Sequence, residues 1–115
     1  MLADRFSPEL ARGSLSLLVL AALADGPKYG YAIQKRLAQA SGQRLRIQAG
    51  TLYPIVHRLE EEELVVCRLE QSTGRPRRWY ELTIAGRQHL AEQARQWQSF
   101  AECVSRLLAK CQTEG

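Results

Sequence analysis

The most chemically pointed group in the chain is Arg75, Arg77 and Arg78, three guanidinium groups within four residues beside Gly74 and Pro76. A planar guanidinium presents a fixed fork of donors that matches a phosphate, so arginines clustered in a turn suit a polyanion. A second group, Gly50, Thr51, Tyr53, Pro54, His57 and Arg58, combines small, hydroxyl-bearing and basic side chains at helical spacing. Lys28, Tyr31 and Lys35 precede it, and no Asp or Glu occurs from Gly26 to Leu59. Acids crowd elsewhere, as in Glu60 to Glu63, so one face of the folded chain is expected to be positive. Such a face suits double-stranded DNA. The bland alternatives are solvated helix faces, a basic hairpin kept soluble by its charge, and a surface histidine at His57 without a role.

Other chemistries find little support. No Gly-x-Ser-x-Gly elbow, phosphate-binding glycine loop or His-Glu-x-x-His helix is present, and the Glu60–Glu63 carboxylates have no pocket to tune them, so no enzyme is expected. Cys67, Cys103 and Cys111 lie far apart, and neither His57 nor His89 stands at ligand spacing from them, so neither a metal nor another cofactor is expected. Three unpaired cysteines without a framework point to a reducing, cytoplasmic compartment.

These residues must be placed by the elements around them. The apolar run Leu15 to Ala24 superficially resembles a signal peptide, but Asp4 and Glu9 spoil a basic leader and the run is too short to span a bilayer. It reads instead as a largely buried helix over Glu9–Ala24, stopped by Asp25-Gly26-Pro27, and no membrane association is expected. Tyr29, Ile33 and Leu37 set a second helix to Ala40, ended by Ser41-Gly42. Leu45 and Ile47 alternate with Arg44, Arg46 and Gln48, which predicts a very short strand.

Leu52, Ile55, Val56 and Leu59 then give a third helix, Ala49–Glu62, one apolar face. Its opposite arc carries Gly50, Tyr53, Pro54, His57 and Arg58, with Thr51 at the edge. Pro54 suggests that regular helix begins only just before it, where a missing N–H matters little. The periodicity then falls from helical to alternating over Val65–Glu70 and Arg77–Leu82, a hairpin whose tip is the arginine cluster. Thr83 is placed to cap a long final helix, Ile84–Lys110. The expected fold is mainly α with a β-hairpin (α+β): a winged helix-turn-helix at 1–83 and a C-terminal dimerisation helix at 84–115, forming one structural unit. In that arrangement the third helix enters the major groove and the hairpin is the wing.

The joint pattern resembles the PadR family of transcriptional regulators. The resemblance rests on Tyr29-Gly30-Tyr31, on Gly50-Thr51-Leu52-Tyr53-Pro54 with His57-Arg58-Leu59-Glu60, on Arg75, Arg77 and Arg78, and on Trp79-Tyr80-Glu81-Leu82-Thr83 with Gly86. Together these cover about Ala11 to Leu90. Two departures stand out: the family usually has a glycine where Glu63 stands, and often an acid in place of Gln34 or nearby. The resemblance implies a DNA-binding regulator, with repression the family's usual mode.

On the last helix, Leu90, Ala94, Trp97, Ala101, Val104, Leu108 and Cys111 step by four and three in turn, and Phe100 and Leu107 widen the stripe. So regular a seam beyond the winged domain either lies on the chain's own first helix or pairs with a second copy. Two copies would bury both stripes, so a homodimer is expected, which the resemblance also implies, and hence a pseudo-palindromic operator. Trp97 has two readings. It is an aromatic filling the interface, or, as short members of the family imply, a platform for a planar aromatic or phenolic effector. The competing function is a winged-helix module for protein–protein contact, whose basic face would serve an acidic partner.

Overall fold

The structure is a computed structural model that describes residues 6–7, 12–71, 74 and 76–114, with 112–114 as backbone only. In chain order it contains α1 (Leu15–Ala22), β1 (Lys28–Tyr29), α2 (Gly30–Ala40), α3 (Ala49–Glu61), β2 (Val65–Glu70), β3 (Arg77–Leu82) and α4 (Ile84–Glu114). The part of the expected first helix over 9–11 lies outside the described residues.

One core holds the winged body together. Val19, Leu20 and Leu23 from the first helix and its end meet Ile33 and Leu37 of α2, and Leu52, Ile55, Val56 and Leu59 of α3. Val65, Tyr80 and Leu82 close it from the sheet. The four apolar positions of α3 are all buried, as their spacing predicts. No helix among the described residues is long and apolar enough to cross a membrane.

The hairpin occupies the expected residues, but the sheet has three strands in the order β1-β3-β2, all antiparallel. Two corrections follow. Residues 44–48 form no strand, although Ile47 is buried and Leu45 packs against the core as their alternation suggests. Their backbone is satisfied without a partner strand: Gln34 Nε2 donates to the Ile47 carbonyl at 2.8 Å, and Leu45 N–H donates to Ser41 Oγ at 2.8 Å. Gln34, one of the two departures from the family pattern, thus supplies an N–H that a carboxylate could not. The third strand is instead Lys28–Tyr29, paired with Tyr80 and Trp79. Tyr29 is extended and precedes α2 rather than opening it.

The second correction concerns Pro54, which sits well inside α3 rather than at its start. A helical proline loses its N–H bond and presses on the carbonyl four residues back. Here that residue is Gly50, exposed and with open space about it, so the lost bond falls on the solvent side. After α3 the chain turns through Glu63 at φ 61°, and Leu64 N–H bonds the Leu59 carbonyl at 2.9 Å. That is the left-handed helix end for which glycine is favoured, so the other departure places a β-carbon where it is strained.

Thr83 caps α4 as expected, its Oγ1 accepting from Gly86 N–H at 2.9 Å while its hydroxyl donates to the Glu63 carbonyl at 2.7 Å. Gly86 is required by contact: a β-carbon there would lie 2.0 Å from the Leu64 carbonyl oxygen. This close approach seats α4 on the body next to the turn that ends α3. Thirty-one residues long, α4 runs about 46 Å at 1.5 Å per residue, well past that body.

Candidate nucleic-acid interface

The outward arc of α3 is built by the burial of its other side. With Leu52, Ile55, Val56 and Leu59 packed inward, Gly50, Thr51, Tyr53, Pro54, His57 and Arg58 are all exposed. Two of these are steadied by neighbours. Arg58 Nη2 donates to Ser16 Oγ of α1 at 3.2 Å, and His57 Nδ1 stands 3.7 Å from Glu60 Oε1. Lys35 and Tyr31 project together from α2, the ammonium 6.0 Å from the ring centroid, and Tyr31 is 70% exposed.

Between α3, the start of α2 and the hairpin lies an open cleft of about 570 Å³. Tyr31 and Tyr53 line it from the helices, and Arg77 and Arg78 from β3, with Tyr29, Gly30, Pro76 and Tyr80 completing the wall. Four of the residues picked out by the sequence are thus brought to one concavity with hydroxyls, guanidinium groups and no carboxylate on its lining. Burial pushes the Tyr80 phenol above its ordinary pKa, so it stays a neutral donor at the cleft wall. Gly30 sets the depth of the site, since a β-carbon there would meet Tyr53 Oη at 2.8 Å.

The remaining candidates are placed differently. Lys28 is half-buried in β1, and its ammonium bonds the Asp25 carboxylate and, at 3.5 Å, the Gly26 carbonyl. That contact holds Asp25 below the usual carboxylate range. Lys35, His57 and Arg58 lie outside the cleft lining, and Arg75 lies outside the described residues. Sequence reasoning missed Tyr29 and Tyr80 as wall residues. Tyr80 was detectable in principle, because alternation along β3 places it on the face opposite Trp79.

The far half of α4 is a second exposed feature. Trp97 is 49% exposed, Phe100 67% and Leu107 66%, with Leu108 and Cys111 also exposed. Leu90 packs partly on the core, and Ala94, Ala101 and Val104 are half-buried.

A three-helix body whose third helix presents a polar arc beside a basic hairpin is a winged helix-turn-helix. The chain belongs to the PadR-like family of transcriptional regulators, whose pattern it matches over residues 19–92. That is a family of regulators and not of enzymes. The chain is 36% identical over 96 residues to the transcriptional regulator Rv3488 of Mycobacterium tuberculosis, covering 84% of this chain and 87% of that protein. Among solved structures it is similar to a PadR-family regulator from Eggerthella lenta, with a TM-score of 0.77 and 39% identity over 87% of this chain and 86% of that one. It is also similar to Bacillus subtilis PadR in complex with operator DNA, with a TM-score of 0.63 and 27% identity over 70% of this chain and 46% of that one.

Proposed function

We propose that the chain is a homodimeric transcription repressor that reads a pseudo-palindromic operator, with α3 in the major groove and the hairpin as a wing on the adjacent backbone or minor groove. The observation that carries this reading is the shared cleft, where Tyr31 and Tyr53 from the helices face the same space as Arg77 and Arg78 from the wing. On DNA, the exposed Gly50 and Thr51 at the start of α3, with Tyr53 and Pro54 one turn further in, approach base edges, and the helix N-terminus also favours a phosphate. Arg77, Arg78 and Arg75 neutralise phosphates, as do Lys35 and Arg58 at the flanks; Lys28 joins them only by leaving Asp25. The operator complex of the Bacillus subtilis relative supports the DNA partner.

The exposed stripe Trp97, Phe100, Leu107 and Leu108, with Leu90, Ala94, Ala101, Val104 and Cys111, is the dimer seam in this reading. Trp97 lies within it, where a planar aromatic or phenolic effector could stack and change the spacing of the two α3 helices.

The test is fluorescence polarisation of a labelled duplex from upstream of the chain's own gene, against a scrambled duplex, at two salt concentrations. Tight, salt-sensitive binding that prefers the native sequence is the expected result. No binding to either duplex at low salt would overturn the reading in favour of a protein-interaction module. Titrating planar phenolic compounds against Trp97 fluorescence tests the effector, and absence of quenching would remove it.

A further inference from the structure

Of the two acids in the hairpin strands, Glu70 and Glu81, Glu70 lies next to the loop, a place at odds with a polyanionic partner. Glu70 is the last residue of β2 and stands opposite Arg77, the first of β3, so the two close the hairpin next to its loop. The Glu70 carboxylate is gathered inward. Tyr29 Oη donates to its Oε2 at 2.7 Å, and Trp79 Nε1 donates to the same oxygen. The Tyr29 and Trp79 rings lie with centroids 3.9 Å apart, tilted by 39°, and the Arg77 guanidinium carbon is 5.2 Å from the Tyr29 centroid.

Tyr29 is also the residue before Gly30, where a β-carbon would lie 2.8 Å from the Tyr53 hydroxyl of α3. A continuous path therefore runs from the wing through Glu70, Tyr29 and Gly30 to the outward face of α3. The backbone link along this path is slender, because β1 is two residues long. Two charge-assisted bonds to one carboxylate oxygen add a directional tie that this short ladder lacks.

We propose that Glu70 is a positioning residue that locks the wing to the start of α2, so that Arg77 and Arg78 keep a set distance from Tyr53 and the groove-facing arc of α3. The proposal rests on the DNA-binding reading for its effect on affinity, but the lock itself is a property of the free protein. It makes a prediction of unusual sign. Removing a negative charge near DNA should tighten binding by electrostatics alone. Removing the lock should weaken it, because two contact regions must then be ordered together on binding.

The experiment compares full-length wild type with E70Q and Y29F. E70Q keeps the shape of the side chain and drops its charge; Y29F removes one donor and keeps the ring pair. Operator affinity is expected to fall by about three- to tenfold in E70Q and by less in Y29F, with the double variant no worse than the sum of its parts. Amide hydrogen exchange on the DNA-free protein is expected to quicken at residues 28–29 and 77–79 in both variants, while the α3 core is unchanged. Tyr29 also supplies a spectroscopic signature. Its bond to Glu70 holds the phenol above its ordinary pKa, so one tyrosine should titrate earlier in E70Q. Tighter or unchanged operator binding by E70Q would overturn the proposal, as would unaltered exchange at 28–29 and 77–79. If wild type binds no duplex, the DNA-binding reading fails on its own, and the exchange and titration still decide whether the lock exists.

Discussion

Leu52 and Leu107 are the same residue type on two helices of one chain, and their surroundings could hardly differ more. Leu52 is wholly buried at the centre of the winged body, whereas Leu107 on the far half of α4 is 66% exposed. The body closes its own core: α1, α2, α3 and the sheet all contribute buried side chains to a single cluster. Distal α4 has no such cover, yet its apolar positions are as regular as those of α3. Each fully buried leucine-sized side chain contributes roughly 1.5–3 kcal/mol relative to exposure. A stripe left open in one copy is therefore a large reserve of association energy. On the proposed reading, the difference separates the residues that make the fold from those that make a dimer.

That separation can be broken by substitution. Leu52→Ala should cost about 3–5 kcal/mol and lower the melting midpoint sharply, because it leaves a cavity under α3. Phe100→Asp should instead leave the body folded by circular dichroism while weakening self-association by at least about a hundredfold in sedimentation equilibrium, a hot-spot effect in a dimer seam. A body that melts with the seam, or a seam indifferent to an aspartate, would erase the distinction. In the wing, Arg77→Ala and Arg78→Ala should each flatten the salt dependence of operator binding by about one power, with thermal stability unchanged.

The smallest effect sharpens the comparison within the body itself. Glu63 adopts φ 61°, and a glycine there should relieve the left-handed strain at the end of α3. Since part of that relief is offset by glycine's larger unfolded-state entropy, Glu63→Gly should stabilise by only about 0.5–1 kcal/mol. A melting midpoint a few degrees higher is the expected reading.

How far these features could be seen in the sequence depends on the range of the interactions that make them. The two faces of α3 were legible because helical periodicity is local and strong, and the hairpin bounds followed from alternation flanked by turn residues. The Thr83 cap was likewise a local signal, whereas Glu63 stood out only as a departure from the family pattern. Residues 44–48 misled because alternation reports which side chains are buried, and it says nothing of what bonds the backbone. There, Gln34 and Ser41 do the work that a neighbouring strand would do.

Strand β1 was illegible for the complementary reason. Two residues carry no period, and their partners on β3 lie some fifty positions away. Pro54 was misplaced because a proline is ordinarily kept out of a helix interior by the carbonyl four positions back, and here that carbonyl belongs to Gly50, exposed with open space about it. In the site, Tyr53, Arg77 and Arg78 were found by chemistry and spacing, and Tyr31 through the family resemblance. The Glu70–Tyr29–Trp79 cluster could not be, since it joins residues up to 50 positions apart.

In the proposed dimer, α4 sets one reading body in register with that of a second copy. The most direct test is a hydroxyl-radical footprint on the operator duplex combined with the stoichiometry of the complex. The account predicts two chains per duplex and two protected half-sites on one face of the DNA, centred about one or more helical turns apart. A single protected patch bound by one chain would contradict it.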